Sequence, residues 1–222
     1  MPSRPNELDL PGVTPSRQKR SRETTAALLA AGAEMLRSHS LAELSIEALC
    51  RQVGATVGAF YSRFESKDAY FNALMALAAR DGERRVSEMA GAAPGDADLA
   101  TRCHQVVGGI IGWMRAHEGV LRAALQHDDN RPDSWSPFKA LARANTERAI
   151  PLLLPAMGKE LGKGRRAAKS RAIAFGFQVV LGTLVNAILN DPGPLSLHDK
   201  ELKARLSGCL LMVLEAEMEA RS

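Results

Sequence analysis

Apolar side chains recur every three to four residues through most of this chain, and no stretch alternates apolar and polar residues as a half-buried strand does. This periodicity predicts an all-α fold of about nine helices, joined by connections short enough to favour packed neighbours. Glycine and proline mark several of those connections. The predicted helices cover approximately residues 17–38, 45–53, 56–63, 66–90, 97–117, 118–127, 138–156, 166–190 and 198–220.

The composition is typical of a soluble globular protein. Of the 222 residues, 45% are apolar and 24% are charged, and the net charge of +4 permits a polyanionic partner without requiring one. The three cysteines, Cys50, Cys103 and Cys209, are odd in number and far apart, so we expect reduced thiols rather than a disulfide framework. The first 20 residues have no apolar core of a signal peptide, which predicts a cytoplasmic location.

One uncharged stretch, residues 172–190, is long enough to span a membrane. Polar side chains interrupt it at Gln178, Thr183, Asn186 and Asn190. We therefore expect a helix buried within a helical protein rather than a membrane span, and no membrane partner.

The segment from Ser45 to Lys67 (SIEALCRQVGATVGAFYSRFESK) carries the strongest functional signal. It reads as a helix, a tight turn and a second helix, which is the layout of a helix-turn-helix. Ser45 is a good N-cap, Gly54 suits a turn that needs a positive φ, and Phe60 can fill the space between the helices. Small residues at Val57, Gly58 and Ala59 would let the second helix approach a groove floor.

These residues resemble the TetR family of bacterial transcriptional regulators over about 50 residues, from the first helix into the fourth. The resemblance lies in Ser45 at the start of the second helix, in the turn Gly54-Ala55-Thr56, and in the order Gly58-Ala59-Phe60-Tyr61-Ser62-Arg63-Phe64 followed by Ser66-Lys67-Asp68. Arg63 replaces the usual histidine, and Val57 replaces a residue that is commonly polar or basic. The second difference leaves the operator sequence open.

The resemblance implies a DNA-binding role for each matching position. Ser45 would donate to a phosphate, while Thr56, Val57 and Ala59 would face base edges. Tyr61, Arg63 and Lys67 would hold phosphates. The basic residues Arg17, Lys19, Arg20 and Arg22 could reach phosphate or the minor groove, although a solvated start of the first helix is the alternative.

The predicted domain organisation follows from the same reading. Residues 1–16 contain four prolines and no periodicity, which predicts a mobile N-terminal arm. Residues 17–65 would form the DNA-binding domain, and residues 66–222 the effector-binding and dimerisation domain.

The region from residue 97 to 190 occupies the place of the family's effector pocket. Its aromatic residues suit a small apolar or aromatic effector, although aromatic residues at helical spacing can also be plain core. The predicted lining residues are Trp113, Met114, His117, Leu121, Trp135, Phe138, Phe175, Phe177 and Gln178. The histidines at 104, 117 and 127 are too dispersed to predict a metal site, and no cofactor is predicted.

The last two helices carry apolar stripes that the resemblance assigns to a homodimer interface. A reader of a palindromic operator needs a second copy, although packing within one chain is the alternative. The predicted interface residues are Leu184, Val185, Ile188, Leu206, Leu210 and Val213.

The sequence thus predicts a ligand-responsive, homodimeric DNA-binding regulator, most often a repressor in this family. The alternative is a helical small-molecule-binding or adaptor protein without DNA-binding activity. An enzyme is not predicted, because the Ser-x-x-Lys patterns at Ser16 and Ser136 lack their companion motifs and Leu121 stands where a zinc-protease motif needs its second histidine.

Overall fold

The computed structural model describes residues 10–14, 18–92, 97–126, 136–158, 163–191 and 193–219. This part of the chain forms nine α-helices and no strand, which confirms the predicted fold class. The helices are α1 (Lys19–Met35), α2 (Ile46–Gln52), α3 (Val57–Tyr61), α4 (Lys67–Ala92), α5 (Leu99–Ala116), α6 (Glu118–Gln126), α7 (Ser136–Leu153), α8 (Lys163–Asn190) and α9 (Leu202–Glu219). A 3-10 turn over Leu154–Met157 continues α7.

Hydroxyl side chains cap the N-termini of three consecutive helices, including the cap predicted at Ser45. The backbone N–H of Ala48 donates to Ser45 Oγ at 3.2 Å, that of Ala59 to Thr56 Oγ1 at 3.0 Å, and that of Ala69 to Ser66 Oγ at 3.0 Å. Each cap satisfies an N–H that has no partner within its own helix. The starts of α2, α3 and α4 are therefore fixed by local sequence.

The described residues divide into two compact units, and α4 contributes to both. The first unit takes its residues from 1–80 and 117–137, and the second from 81–116 and 138–222. Packing therefore groups α6 and the first part of α4 with the N-terminal helices. The functional division at residue 65 stays a prediction.

In the first unit, Tyr70 of α4 is the largest side chain that is fully buried. Its hydroxyl donates to the carbonyl oxygen of Leu28 in α1 at 2.7 Å. A Cβ at Gly32 would lie 1.7 Å from that hydroxyl, so the α1–α4 contact requires glycine there. The buried face of α1 includes Leu28 and Leu29, whereas Ala26 is exposed although it lies at helical spacing from Leu29.

Helix α6 packs against the end of α1 within the same unit. A Cβ at Gly119 would lie 2.5 Å from the carbonyl oxygen of Leu36, so the two backbones approach closely. Arg122 Nη2 also donates to the carbonyl oxygen of Arg37 at 2.7 Å. The last carbonyl groups of a helix have no hydrogen-bond partner within it. After α1, Gly119 covers the Leu36 carbonyl and Arg122 donates a hydrogen bond to the Arg37 carbonyl.

The second unit is built on α9, which packs against both α5 and α8. Gly176 in α8 allows a close approach, since a Cβ there would lie 2.5 Å from Leu210 Cδ1 of α9. Trp113 of α5 packs edge-on against Phe138 of α7 with ring centroids 6.3 Å apart. Arg115 Nε donates to the carbonyl oxygen of Leu197 at 2.7 Å and anchors the segment before α9.

By length and hydropathy alone, α8 could cross a membrane. Its mean hydropathy reaches 2.0 over the most apolar window, and 44% of that window is buried inside the protein. Ile173, Phe177, Val180 and Leu184 are buried, and α8 packs along α9. These contacts are those of a core helix in a helical protein.

Candidate nucleic-acid interface

Helices α2 and α3 and the turn between them form the predicted helix-turn-helix. Gly54 has a φ of +67°, the left-handed conformation that the turn was predicted to need. The N–H of Ala55 returns to the carbonyl oxygen of Cys50 at 2.9 Å and closes the turn. Leu49 and Cys50 are buried below it, as expected from their spacing.

An aromatic cluster holds α3 on the first unit. Phe60, Phe64 and Tyr70 have no exposed surface, and their ring centroids lie 4.9–5.2 Å apart in tilted or edge-on pairs. Tyr61 meets the edge of this cluster through Phe60 at 5.2 Å. The rings hold the C-terminal end of α3 and the Thr56 cap holds its N-terminal end, so the outward side of that short helix has a defined orientation.

That opposite face consists of small and hydroxyl-bearing residues. Thr56 and Gly58 are exposed, and Val57 and Ala59 are half-buried. The Tyr61 side chain is 52% exposed, although aromatic residues are usually buried. A low surface with methyl groups and one projecting phenol can approach the floor and wall of a DNA groove.

Arg63 uses its side chain within the protein. Its Nη1 donates to the carbonyl oxygen of Ala59 at the end of α3 and to Ser62 Oγ at 3.2 Å. Its Nε and Nη2 donate to the carbonyl oxygen and the hydroxyl of Ser21 in α1, at 3.4 and 3.2 Å. Arg63 thereby connects the end of α3 to α1, a contact between residues 42 positions apart.

Lys67, at the start of α4, also has an internal partner. Its Nζ donates to the carbonyl oxygen of Ala42 at 3.1 Å, in the connection between α1 and α2. Partial burial lowers the pKa of this ammonium, and the nearby Asp68 opposes that shift. Two of the three ammonium hydrogens remain for another acceptor after the bond to Ala42.

The hydroxyl of Ser45 already has two hydrogen-bond partners within the protein. Its hydroxyl accepts from Ala48 N–H and donates to Glu47 Oε2 at 2.9 Å. The exposed Glu47 carboxyl accepts hydrogen bonds from the Glu47 backbone N–H and from the Ser45 hydroxyl, and both bonds lower its pKa. A phosphate at Ser45 would therefore have to replace Glu47 as the acceptor of its single O–H.

The predicted basic cluster is described only in part, because Arg17 lies outside the described residues. Lys19 and Arg20 are exposed at the start of α1, and Lys19 Nζ lies 3.9 Å from the Glu23 carboxylate. Both side chains of that pair are largely exposed, so the contact contributes little to stability. Lys19 and Arg20 are accessible to a phosphate.

A segment at residues 10–14, which the sequence did not indicate as part of this site, supports it. Of the arm predicted to be mobile over residues 1–16, the described residues 10–14 are packed: Leu10 is buried, and the N–H of Thr14 donates to the carbonyl oxygen of Arg63 at 2.8 Å. Gly12 has a φ of +80°, and a Cβ there would lie 2.4 Å from the carbonyl oxygen of Ala69. The adjacent Pro11-Gly12 pair is a turn signal that could have indicated this.

The described residues among those predicted to bind an effector belong to both units. His117 and Leu121 belong to the first unit, whereas Trp113, Met114 and Phe138 are buried in the second. Phe177 is buried, Phe175 and Gln178 are exposed on α8, and Trp135 lies outside the described residues. Their effector role stays a prediction.

The predicted dimer residues are mostly core residues of the single chain. Four of them are at most 6% exposed, namely Leu184, Ile188, Leu206 and Leu210. Val185 and Val213 are half-buried. Among the described residues of α8 and α9, the large apolar side chains that are exposed are Phe175, Val179 and Met212. Four of the six predicted interface residues are thus covered within the chain, and their place in a dimer stays a prediction.

Comparisons with known proteins agree with this geometry. Residues 28–74, which cover α2, α3 and parts of α1 and α4, match the family model described as bacterial regulatory proteins, tetR family. The comparison with curated proteins gave no match.

Solved structures of similar fold cover most of the chain. A tetR-family transcriptional regulator from Streptomyces coelicolor aligns with a TM-score of 0.65 at 15% identity, over 90% of this chain and 84% of the other. A transcriptional regulator from Cytophaga hutchinsonii aligns with a TM-score of 0.61 at 13% identity, over 87% and 95%. AmtR from Mycobacterium smegmatis aligns with a TM-score of 0.54 at 19% identity, over 94% and 97%. At these identities the likeness concerns the fold.

Proposed function

We propose that this chain, whose residues 28–74 match the model of the tetR family of bacterial regulatory proteins, is a cytoplasmic, homodimeric transcriptional repressor that a small apolar or aromatic effector releases from a palindromic operator. The observation that supports this most is the exposed face of α3. Thr56, Val57, Ala59 and Tyr61 lie on a helix that buried aromatic rings hold in place.

In the proposed complex, α3 enters the major groove. The methyl groups of Thr56, Val57 and Ala59 contact base edges, where the thymine C5-methyl is a suitable partner. Tyr61 donates its phenol to a phosphate, and Lys19 and Arg20 contact the backbone beside the groove. Arg63 acts differently from our expectation, since its internal bonds favour a role in positioning α3 over a phosphate contact.

Lys67 combines both roles in this proposal. Its bond to the Ala42 carbonyl holds the start of α4 against the α1–α2 connection. Its remaining hydrogens can reach a phosphate placed at the N-terminus of α4, where the helix dipole favours an anion. Ser45 would contact a phosphate at the N-terminus of α2 after its hydroxyl turns away from Glu47.

The proposed dimer forms through the outer face of α8 and α9. Phe175 is 56% exposed, Val179 is 38% exposed and Met212 is 62% exposed, and all three lie in the second unit. Burial of these side chains against a second copy would stabilise the dimer by roughly 25 cal/mol for each Å² of apolar surface removed from water. A two-fold pair of α3 helices can then read two half-sites of a palindrome.

The proposed effector acts by favouring a state whose two α3 helices no longer match the half-sites. Helix α4 begins beside α3 and continues into the second unit, so it provides a covalent connection along which a change can pass. A tenfold loss of operator affinity requires a coupling free energy of about 1.4 kcal/mol, and operator DNA must weaken the effector by the same factor.

The experiment that tests this function measures the affinity of the full chain for duplex DNA by fluorescence anisotropy, first with genomic fragments selected by gel shift. If three side chains of each subunit contact phosphates, log K against log[salt] will have a slope of about −5. A slope near zero, or affinity no greater for any fragment than for random duplex, would contradict the function and favour an adaptor without DNA-binding activity.

A further inference from the structure

The second unit contains a cavity of about 390 Å³ that is lined by none of the described residues predicted to bind an effector. Four helices line this partly open cavity: α4 through Met89, α7 through Leu152, α9 through Lys203, and α5 through Arg102, Gln105, Val106, Gly108 and Gly109. Its volume lies in the range of small-molecule sites, which is roughly 300–1,000 Å³.

Two cations lie in the wall of this cavity, and no carboxylate is among its described lining residues. Arg102 is held in place by its own hydrogen bonds, since Nη1 donates to the Leu152 carbonyl oxygen at 2.8 Å and Nε to that of Ala97 at 2.9 Å. Lys203 comes from the first turn of α9, where a cation opposes the helix dipole. An anion in the cavity would compensate both charges.

A pair of glycines in α5 shapes the cavity floor. A Cβ at Gly108 would lie 2.5 Å from Lys203 Cε and 2.9 Å from its Nζ, so the lysine lies directly across the glycine. A Cβ at Gly109 would lie 2.5 Å from the sulfur of Met89. Any larger residue at position 108 would displace the ammonium from its present place beside the cavity.

The rest of the lining is apolar. Val106 is buried, and Met89 and Leu152 are half-buried, while Gln105 offers an exposed amide. Apolar walls suit a hydrocarbon body, and a few convergent polar groups orient it. A charged head near Arg102 and Lys203 would be attracted more strongly than in water, because the surrounding walls have a low dielectric constant.

We propose that this cavity binds a small organic acid, with its carboxylate at Lys203 and Arg102 and its apolar body against Met89, Val106 and Leu152. As a regulatory site it rests on the proposed function, and it adds a carboxylate to the small apolar or aromatic effector expected there. As a ligand-binding site, however, the cavity does not depend on whether the chain binds DNA.

Calorimetric titration with octanoate and 3-phenylpropionate, each paired with its neutral amide of the same shape, tests the site. We expect both acids to bind the wild-type chain at least tenfold more tightly than their amides. Lys203→Met keeps the aliphatic stem and removes the charge, and it should weaken the acids at least tenfold while leaving the amides unchanged. Lys200→Met, at an exposed lysine just before α9, is the matched control and should leave both unchanged.

The outcomes separate this site from the proposed function. Amides that bind as tightly as the acids, no binding of either acid, or equal acid affinity in the wild type and Lys203→Met would each overturn the site, provided that circular dichroism shows the variant to be folded. Gly108→Ala, which moves the ammonium without removing it, should also weaken the acids. A chain that binds octanoate through Lys203 but binds no duplex DNA would support the site and overturn the proposed function.

Discussion

The guanidinium of Arg63 lies on Ser21, with Nη2 donating to the Ser21 hydroxyl at 3.2 Å and Nε to its carbonyl oxygen at 3.4 Å. These two bonds join the end of α3 to α1 across 42 residues of sequence. A side chain that the resemblance assigns to a phosphate contact therefore has hydrogen-bond partners within the first unit, and its positioning role is part of the proposal.

Salt dependence distinguishes positioning from phosphate contact at Arg63. We expect Arg63→Met to lower the affinity for all duplexes without changing the slope of log K against log[salt], because no phosphate contact is lost. The matched substitution Arg20→Met, at an exposed cation, should reduce the slope by about 2 in a dimer. Anisotropy titrations at several salt concentrations provide both slopes, and an equal reduction in both variants would show that Arg63 contacts phosphate.

The packed segment at residues 10–14 should contribute measurably to the stability of the first unit. Gly12→Ala places a methyl group against the Ala69 carbonyl at a φ of +80°, which we expect to lower the free energy of unfolding by about 1–3 kcal/mol. Urea unfolding followed by circular dichroism at fixed protein concentration measures the change. Pro11→Ala, at the exposed neighbouring position, is the control, and equal stability of Gly12→Ala and the wild type would show that the segment does not hold α4.

Tyr70 should make stability depend on pH in alkaline solution. Burial is the main reason that its pKa is raised above the ordinary value of 10.0, because ionisation would place a charge in the core. The folded state therefore keeps this proton where the unfolded chain loses it, so the contribution is complete below pH 10 and declines as the pH rises above it.

Tyr70→Phe isolates that effect. At neutral pH it should cost about 1 kcal/mol, since the bond to the Leu28 carbonyl is lost. Above pH 10 the free-energy difference between wild type and variant should shrink, because only the wild type has this buried phenol. Unfolding curves between pH 7 and 11 test this; a difference that stays constant over that range would mean that Tyr70 ionises as it does in the unfolded chain.

The outer face of α8 and α9 should determine the oligomeric state. We expect Met212→Lys and Phe175→Lys to convert the proposed dimer into monomers, since each places a charge among apolar side chains that a partner would bury. Gln126→Lys introduces the same side chain at an exposed position in the first unit and should leave the dimer intact. Light scattering during size-exclusion chromatography measures the mass, and dimeric Met212→Lys and Phe175→Lys variants would exclude this face as the interface.

The fold was predictable from the sequence because its determinants are local. Ser45, Thr56 and Ser66 cap their helices through N–H groups three residues away, and Gly54 adopts its turn conformation without help from distant residues. The placement of α3 against the core was also predictable, since Phe60 and Phe64 combine helical spacing with an aromatic character that favours burial.

The hydrogen-bond partners of individual polar residues were harder to predict from the sequence. Arg63 and Lys67 have partners on Ser21 and the Ala42 carbonyl, and nothing in the spacing of a charged residue identifies a backbone acceptor far away in sequence. The sequence left two coverings open for the apolar stripes of α8 and α9, packing within the chain and packing against a second copy, because periodicity does not identify the element that covers a stripe. Leu184 and Leu210 illustrate this.

The central claim, that the exposed face of α3 reads duplex DNA, is tested most directly by selecting preferred sites from random duplex DNA with the wild type and Ala59→Asn in parallel. The account predicts that the wild type enriches a palindrome with half-sites about one helical turn apart or a multiple of it, and that Ala59→Asn enriches a different half-site, because an asparagine amide can pair with adenine. Tyr61→Ala is the control: it should enrich the wild-type site with lower affinity for all sequences, as expected for a lost phosphate contact. The same preferred site for wild type and Ala59→Asn, or no enrichment by the wild type, would contradict the account.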